Sequence, residues 1–197
     1  MKQPVVIVLA AGRGERYTRS GGTVHKLDAR LAGTPLLQHV LNTVQASGLP
    51  CHVVYPRHEE QGRTDGMGDS IARGVAATAQ AAGWLILPGD LPLVGTQSLL
   101  AVAAGLLQQP VVVPYWQGQQ GHPVGFHRSC GPALMALTGD TGAAAVVRQH
   151  RQTGAVLELN LDDPGITMDI DTLDDLATAE AFLASSNITS GNKHGER

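Results

Sequence analysis

Runs of apolar residues without polar interruption recur along the chain, separated by stretches in which apolar residues follow helical spacing. The first run, residues 4–10, is typical of a strand buried on both faces. Mainly apolar segments at residues 51–55, 84–87, 111–113 and 155–159 predict further strands, with His52 and Glu158 as polar interruptions. This alternation predicts an α/β fold: a Rossmann-like three-layer αβα arrangement with a mostly parallel sheet, whose ligands bind beyond the carboxyl ends of the strands.

Turn and cap residues delimit the predicted helices. Thr34 is expected to cap a helix that has Pro35 at its first position and ends at Gly48. Residues 115–121 are predicted to form a hairpin-like loop before an antiparallel strand at 123–126. Other helices are predicted at residues 72–82, 96–108, 132–137 and 143–151.

The last predicted helix begins with the capping-box-like segment Thr172-Leu-Asp-Asp175 and ends near Leu183. Residues 185–197 are polar and are expected to be a disordered tail. With 197 residues and 43% hydrophobic content, the chain is long enough for one well-filled domain and too short for two. Residues 1–184 are therefore predicted to form a single domain.

The charge and the cysteines narrow the classes of partner. A net charge of -3 with 16% charged residues gives no basic field for nucleic acid, so a polyanion would have to be bound by a few placed cations. Cys51 and Cys130 lie far apart and form no C-x-x-C pair, which disfavours a zinc site or a disulfide scaffold. No apolar stretch approaches the roughly 18 to 20 residues that span a bilayer, and residues 1–12 lack a signal peptide's features. A cytoplasmic protein with a small ligand, no membrane contact and no nucleic-acid partner is expected.

The first strand leads directly into a loop rich in glycine and arginine. Gly12 and Gly14 allow backbone N–H groups to approach a ligand. Three cations that can place positive charge against a polyphosphate are Arg13, Arg16 and Lys26. A dinucleotide-binding turn would need a third glycine where Tyr17 stands and a helix directly after the second one, and the G-x-x-x-x-G-K-[ST] phosphate loop is absent. We expect a nucleoside triphosphate here, with a flexible surface loop as the alternative.

Several acidic residues are candidate ligands of a hard cation such as Mg²⁺, which prefers carboxylate and phosphate oxygens. Asp90 follows the predicted strand at 84–87. Asp169 and Asp171 alternate with Ile170, so in a strand both would point to one face and Ile170 into the core. The alternatives are a turn former at the strand end for Asp90 and a helix cap for Asp171.

A series of segments, taken in order, carries a family resemblance. They are Leu9-Ala-Ala-Gly12, Gly14-x-Arg16, Lys26-Leu27, Gly33-Thr-Pro-Leu-Leu37, residues 66–74, Leu87-Pro-Gly-Asp-Leu-Pro92, Gly121-His-Pro-Val-Gly-Phe126, Gly139-Asp-x-Gly142 and Asp169-Ile-Asp-Thr172. They resemble the MobA/MocA-like nucleotidyltransferases, and Ala-Ala-Gly and Pro-Leu-Leu are more similar to the molybdenum cofactor cytidylyltransferases than to the guanylyltransferases. The resemblance covers most of the chain and implies a nucleotide-diphospho-sugar transferase-like fold.

The resemblance also implies an activity: Mg²⁺-dependent transfer of a CMP moiety from CTP to the phosphate of a molybdopterin-type cofactor, with release of pyrophosphate. A molybdoenzyme or its chaperone would then be a partner. The implied catalytic residues are Arg16, Lys26 and Asp90, and the implied metal ligands are Asp90, Asp169 and Asp171. The implied acceptor-binding residues are His122 and Asp140. The implied nucleotide-binding residues are Leu9, Ala10, Ala11, Gly12, Arg13, Gly14, Gly66 and Ser70.

Some of these residues have plainer interpretations, and the chain departs from the family pattern in two places. Asp69 or Ser70 could simply cap a helix, and His122 could be structural. The link between Arg16 and Lys26, residues 17–25, is longer than is usual in the resembled family. Two alanines, 143 and 144, follow Gly142 where that family often has Ala-Arg. The second departure leaves the identity of the acceptor open.

Other functions remain open as well. Within the same class, the donor could be GTP or the acceptor another small phosphate. An NAD(P)H-dependent reductase is a second class, and a non-catalytic insertion chaperone for molybdenum enzymes is a third. Trp84 and Trp116 could stack on a pterin or a base, although Trp84 lies in a predicted strand.

Overall fold

The computed structural model of the protein describes residues 2–12, 14–56 and 66–191, with side chains as far as residue 185. The strands in this part of the chain are β1 (Val5–Leu9), β2 (Arg30–Leu31), β3 (Thr34–Pro35), β4 (Cys51–Val54), β5 (Gly83–Pro88), β6 (Val111–Trp116), β7 (Gln119–Gln120), β8 (Val124–His127) and β9 (Val156–Asn160). The α-helices are α1 (Glu15–Arg19), α2 (Leu36–Ser47), α3 (Met67–Ala77), α4 (Thr96–Gly105), α5 (Gly131–Met135), α6 (Ala144–Gln152) and α7 (Leu173–Gly191).

One mixed sheet forms the middle of the fold. Its strand order is β4-β1-β5-β8-β6, with β7 and β9 both paired to β6. Strands β4, β1 and β5 are mutually parallel and β9 is parallel to β6, whereas β8 runs antiparallel to both β5 and β6. The predicted mostly parallel sheet is confirmed, and so is the antiparallel strand expected at 123–126.

Helices cover both faces of this sheet. On one face, Ile7 and Ile86 pack with apolar residues of α3, α5 and α6. On the other face, Val8 and Leu85 pack with apolar residues of α2 and α4. Successive residues of β1 therefore point into two different cores, which is why its sequence is apolar without interruption. The three-layer αβα arrangement expected from the sequence is confirmed.

A third, smaller core contains the first residue of the long link between Arg16 and Lys26. Tyr17 of α1 is buried there together with Leu36 and Ile170. The Ser20 hydroxyl accepts a hydrogen bond of 3.1 Å from the N–H of Leu173, the first residue of α7. The extra residues of the link thus pack onto the start of α7.

The start of α2 differs from the expectation. Thr34 is not a helix cap: it pairs with Leu31 in the β2–β3 hairpin. The turn of this hairpin is made by Ala32 and Gly33, whose φ angles of 49° and 84° are both positive, as a two-residue hairpin turn requires. The helix therefore begins at Leu36, and its expected end is confirmed.

Two other helices also differ from the prediction. Helix α1 begins directly after Gly14, where the sequence analysis expected no helix. Its five residues are too few to show an apolar period. Helix α3 spans Met67–Ala77 and so begins and ends earlier than the predicted 72–82.

Helix α7 begins at the predicted capping box. Asp175 Oδ2 accepts from the N–H of Thr172 at 2.7 Å, and the Thr172 hydroxyl accepts from the N–H of Asp175 at 3.2 Å. The helix continues to Gly191, past the expected end near Leu183 and into the segment predicted to be disordered. Residues 192–197 of that segment lie outside the described residues. Neither α7 nor any other helix in the described chain is long and apolar enough to cross a membrane.

The packing of α3 on the sheet yields a stability prediction. A Cβ at Gly74 would lie 2.8 Å from Ile7 Cγ2 and 2.9 Å from Val54 Cγ2. Alanine normally stabilises a helix by about 1 kcal/mol relative to glycine, but here its methyl group would press on stiff β-branched side chains. We expect Gly74→Ala to lower the free energy of unfolding by about 1–3 kcal/mol, measured by urea titration.

The matched control is Ala76→Gly, on the exposed side of the same helix. It should lower the free energy of unfolding by about 1 kcal/mol through helix propensity alone. If propensity rather than packing decided the outcome at position 74, the two substitutions would change stability in opposite directions.

Candidate active site

Neighbouring parallel strands place the glycine-rich loop beside Asp90. Leu9, the last residue of β1, pairs with Pro88, the last residue of β5, and the carboxyl ends of parallel strands meet at one edge of a sheet. The N–H of Ile170 donates to the backbone carbonyl of Asp90 at 3.0 Å. This bond brings the segment around Ile170 to the same edge, so segments distant in sequence become neighbours there.

A cavity of about 560 Å³ opens at this edge of the sheet. Most of the residues implied by the resemblance line it: Leu9, Ala11, Gly12, Gly14, Arg16, Lys26, Gly66, Ser70, Asp90, Asp140 and Asp171. The sequence analysis did not assign five other lining residues, which are Glu15, Arg19, Leu27, Met67 and Pro88. Three implied residues do not line the cavity: Ala10, Asp169 and His122. Arg13 lies outside the described residues.

The Lys26 ammonium joins two of the predicted metal ligands. Its Nζ donates to Asp90 Oδ2 at 2.6 Å and to Asp171 Oδ1 at 2.7 Å, and only 9% of the side chain is exposed. Burial by itself would lower the pKa of Lys26, but the charges and hydrogen bonds of the two carboxylates outweigh burial and hold this pKa above its ordinary value. Lys26 is therefore a permanent cation, and its hydrogen bonds in this structure go to carboxylates.

Arg16 extends the charge network to the rim of the cavity. Its Nη1 donates to Asp171 Oδ2 at 2.8 Å, while most of its side chain is exposed. Asp171 thus accepts from Lys26 on one oxygen and from Arg16 on the other. The hydrogen bond from Lys26 is the main cause, and Arg16 a further one, of a pKa lowered below the ordinary aspartate value. A guanidinium carries five N–H donors, so Arg16 can hold Asp171 and an anionic ligand together.

Asp90 offers an oxygen to a cation. Its Oδ2 accepts from Lys26, but its Oδ1 is buried and has no hydrogen-bond partner among the described residues. A buried carboxylate oxygen without a partner is unfavourable, and a hard cation such as Mg²⁺ or Mn²⁺ would complete it. Within the described ranges no three His, Cys, Asp or Glu residues form a complete metal centre. Phosphate oxygens and water would have to supply the other ligands.

Asp169, unlike Asp90 and Asp171, does not line the cavity. No strand forms over residues 168–171, so the expectation that Asp169 and Asp171 share a strand face is wrong. Ile170 between them is buried, as expected. Burial, together with the charges of Asp90 and Asp171, raises the pKa of Asp169. Because Asp169 does not line the cavity, its role as a metal ligand stays a prediction.

Asp69 ties two walls of the cavity together. Its Oδ2 accepts from the N–H of Gly66 at 3.0 Å and from the N–H of Gly139 at 2.9 Å. The first bond caps α3, as one interpretation of the sequence expected. The second fixes the loop that carries Asp140, and the sequence analysis missed it because Gly139 is 70 residues away.

His122 lies outside the cavity lining. Its backbone N–H donates to the carbonyl of Ile166 at 2.8 Å. Its ring Nδ1 is buried and has no partner in the described chain. Burial lowers the pKa of His122 against the opposing charge of Asp90, so the ring is neutral at neutral pH. This placement favours a structural role for His122 over the predicted contact with the acceptor.

Helix α1 adds two charges that were not assigned to the site from the sequence. Arg19 and Glu15 form an ion pair of 3.0 Å at i,i+4 spacing, and both side chains line the cavity. This spacing is the one signal in the sequence for a helix here, because it places both residues on one helical face.

Comparison with known proteins identifies relatives of the whole domain. A family model described as "MobA-like NTP transferase domain" matches residues 6–154. The purine catabolism protein PucB of Bacillus subtilis (strain 168) is 31% identical over 195 residues, covering 87% of this chain and 94% of PucB. The bifunctional protein GlmU of Xanthomonas oryzae pv. oryzae is 31% identical over 140 residues, which are 62% of this chain but 29% of GlmU. The likeness to GlmU is therefore confined to part of that protein.

Among solved structures, Rv0371c from Mycobacterium tuberculosis H37Rv has a TM-score of 0.71 and 24% sequence identity, covering 91% of this chain and 98% of that one. A second structure of the same protein is a complex with manganese, with a TM-score of 0.66 and 21% identity. At these identities the likeness shows that the fold is shared.

The ion cluster around Lys26 predicts a pH-dependent loss of stability. Lys26→Met keeps an apolar side chain of similar length but removes the buried ammonium between Asp90 and Asp171, so Asp90 loses its cation and Asp171 keeps only the exposed Arg16. We expect the free energy of unfolding to fall by about 2–4 kcal/mol at neutral pH. The lowered pKa of Asp171 means that wild type keeps the stabilising pair above the unfolded value and loses it as the pH falls through the folded one. The difference between variant and wild type should therefore be largest above about pH 4, the ordinary aspartate value, and shrink as the pH falls below it.

Urea unfolding of both proteins in EDTA at each pH makes this measurement. Arg19→Met is the control, because it breaks an exposed ion pair that contributes about 0.5 kcal/mol at most. A Lys26→Met variant as stable as Arg19→Met at neutral pH would contradict the central position of Lys26.

Proposed function

The chain belongs to the family of MobA-like NTP transferase domains, and from this premise we propose that it transfers a nucleotidyl group from a nucleoside triphosphate to a small phosphate-bearing acceptor. One arrangement carries the proposal. A glycine-rich loop at the end of β1 lies beside Asp90 at the end of β5. The Oδ2 of Asp90 accepts from the buried ammonium of Lys26, and its Oδ1 has no hydrogen-bond partner among the residues that the structure describes. This combination suits a triphosphate held together with a hard cation.

The charges around the cavity support a metal-bound triphosphate over a free one. The acidic lining residues in the described chain are Glu15, Asp90, Asp140 and Asp171, and the basic ones are Arg16, Arg19 and Lys26. The carboxylates lie among the basic groups, so the oxygens of a free triphosphate would meet repulsion from Asp90 and Asp171 as well as attraction. A divalent cation that travels with the triphosphate offsets that repulsion.

Asp90 and Asp171 are the residues that would hold the cation, and Mg²⁺ is the ion we propose. When bound, it neutralises charge on the phosphates and aligns them for in-line displacement. The manganese in the Rv0371c complex supports the choice of a divalent ion, because that protein shares the fold.

The chain's own residues bind and orient the donor. Backbone N–H groups at Ala11, Gly12 and Gly14, which line the cavity, would bind the phosphates, since glycine leaves room for close approach. Arg16 and Lys26 supply fixed positive charge beside the β- and γ-phosphates. Positioning and charge neutralisation are then the main sources of catalysis.

The reaction needs no general base. An oxygen of the acceptor's phosphate monoester forms a bond to the α-phosphorus of the donor. The bond from that phosphorus to the bridging oxygen breaks, and pyrophosphate leaves with the electron pair. A phosphate monoester has a second pKa near 6 and is already mostly dianionic at neutral pH. This agrees with a site whose lining residues include carboxylates and cations but no histidine within the described chain.

For the donor and acceptor we propose CTP and a molybdopterin-type cofactor. The support is the Ala-Ala-Gly sequence at residues 10–12 and the Pro-Leu-Leu sequence at residues 35–37, with Asp140 in the cavity wall. Trp84 does not offer a stacking surface to a pterin, because it is buried and its Nε1 donates to the Thr78 hydroxyl at 2.9 Å. With this acceptor, a molybdoenzyme or its insertion chaperone is the proposed recipient of the product.

Ligand-dependent melting tests the donor and the cation together. We expect CTP with Mg²⁺ to raise the melting temperature by several degrees, because a ligand at a hundred times its Kd adds about 2.7 kcal/mol. GTP, ATP, UTP and NADPH are the competitors, each with and without Mg²⁺. The shift should disappear in Asp90→Asn and persist in Asp162→Asn, which changes an exposed aspartate outside this cavity. A shift with NADPH alone would favour a reductase, and a larger shift with GTP would replace CTP as the donor.

Transfer itself is measured as pyrophosphate release and by the mass of the product with molybdopterin-type cofactor as acceptor. We expect Lys26→Ala and Asp90→Asn each to lower kcat by roughly a hundredfold, since each removes a charge from the phosphate site. The Asp162→Asn control should retain wild-type kcat. A Lys26→Ala variant within about threefold of wild type would contradict its assigned role. Binding of the nucleotidylated cofactor without any transfer would point to a carrier instead of an enzyme.

A further inference from the structure

We propose that His25 is a positioning residue of this site, whose ring ties the phosphate-binding loop to the segment that carries Lys26. The inference rests on the proposed function and deepens it. No motif of the chain singles His25 out, because the residue sits at the end of the long link that separates Arg16 from Lys26.

The His25 ring makes one hydrogen bond on each side. Its Nε2 lies 3.1 Å from the carbonyl oxygen of Gly12 in the glycine-rich loop. Its Nδ1 accepts a hydrogen bond of 3.3 Å from the N–H of Leu27. Because Nδ1 is an acceptor, the hydrogen of the neutral ring must be on Nε2, which then donates to the Gly12 carbonyl. One tautomer therefore makes both bonds, and neither the other tautomer nor the doubly protonated ring can.

These bonds act on Lys26 because it is the residue between the two anchored positions. His25 is the N-cap of the 3-10 turn Lys26–Asp28. The glycine-rich loop also passes close to Lys26 at Gly14, because a Cβ added at Gly14 would lie 2.8 Å from Lys26 Cβ. The ammonium of Lys26 must then reach Asp90 at 2.6 Å and Asp171 at 2.7 Å. A main chain held in place at Lys26 favours the side-chain conformation that reaches both carboxylates.

A hydrogen bond between His25 and Gly12 matters here because the segment between the loop and Lys26 is long. His25 and Gly12 are 13 residues apart, and the entropic cost of bringing the ends of a segment together rises with its length. A hydrogen bond from the residue next to Lys26 back to the loop closes the long segment at its base. Lys26 is thereby held at the loop despite the additional residues 17–25.

Three substitutions separate the two hydrogen bonds of His25. His25→Gln retains an amide N–H that can donate to Gly12 but loses the cap on Leu27. His25→Asn retains an oxygen that can accept from Leu27 but is too short to reach Gly12. His25→Ala loses both bonds. We expect kcat/KM for the triphosphate to fall about tenfold in the Ala and Asn variants and to recover to within about threefold of wild type in the Gln variant.

His127→Ala is the matched control. His127 caps another 3-10 turn in the same way, with its Nδ1 accepting from the N–H of Ser129 at 3.3 Å, but it has no link to the cavity. This control should leave transfer unchanged. Melting temperatures of all variants show whether a loss reflects folding. A purely structural role for His25 would give rescue by Asn, or parallel losses of activity and melting temperature.

Two readouts do not depend on turnover. Long-range ¹⁵N–¹H correlation spectra of the free protein at alkaline pH should show His25 as the Nε2–H tautomer. Calorimetric Kd values for Mg²⁺-triphosphate should follow the order of kcat/KM among the variants. An Nδ1–H tautomer, or a His25→Ala variant within twofold of wild type in both kcat/KM and Kd, would overturn the proposal. If wild type binds the triphosphate but transfers nothing, the proposed function is wrong, and Kd alone decides the role of His25.

Discussion

One ammonium group connects three segments that are far apart in the sequence. Lys26 binds Asp90, 64 residues away, and Asp171, 145 residues away. A buried charge costs several kcal/mol unless it is paired, so each member of this cluster depends on the other two. The cluster thereby joins into one unit the 3-10 turn that carries Lys26, the end of β5 and the segment before α7. All three charged residues line the cavity, together with Gly66, Ser70 and Asp140 from other segments of the chain.

The fold was predictable where the sequence carries a local signal. The central strands β1, β5 and β6 follow from apolar runs, and the start of α7 follows from the capping box at Thr172. The short strands β2 and β3 carry no such run and were not predicted. The start of α2 was not predictable from caps alone. Thr34 has the chemistry of a helix cap, but pairing with Leu31 across a turn of two positive-φ residues places it in a hairpin instead. The tertiary pairing prevailed over the local preference.

The site was predictable in its members more than in its contacts. Glycine and cation spacing identified the loop, and the aspartates after strands identified the opposite side of the cavity. No sequence pattern shows that Lys26 lies between Asp90 and Asp171, or that Asp69 reaches Gly139. These contacts join residues that are far apart in the sequence and meet only in the folded chain. His122 is a residue that the sequence predicted for the site but that does not line the cavity. Its motif resembled an acceptor site, but the fold places it outside the cavity lining.

Pairing Lys26 with Asp90 and Asp171 contributes little net free energy to folding, because the gain from pairing the charges is roughly offset by the cost of removing them from water. The chain solves this with apolar neighbours. Arg16 and the three charged residues of the cluster are each next to a buried apolar or aromatic residue in the sequence: Arg16 to Tyr17, Lys26 to Leu27, Asp90 to Leu91 and Asp171 to Ile170. Burial of these neighbours supplies about 1.5–3 kcal/mol each for aliphatic side chains and fixes the main chain on which the charges stand. Electrostatics then has only to orient side chains. A polar site on this scaffold is therefore built by hydrophobic contacts one residue away from it, and the long link after Arg16 is tolerated because Tyr17 anchors its start.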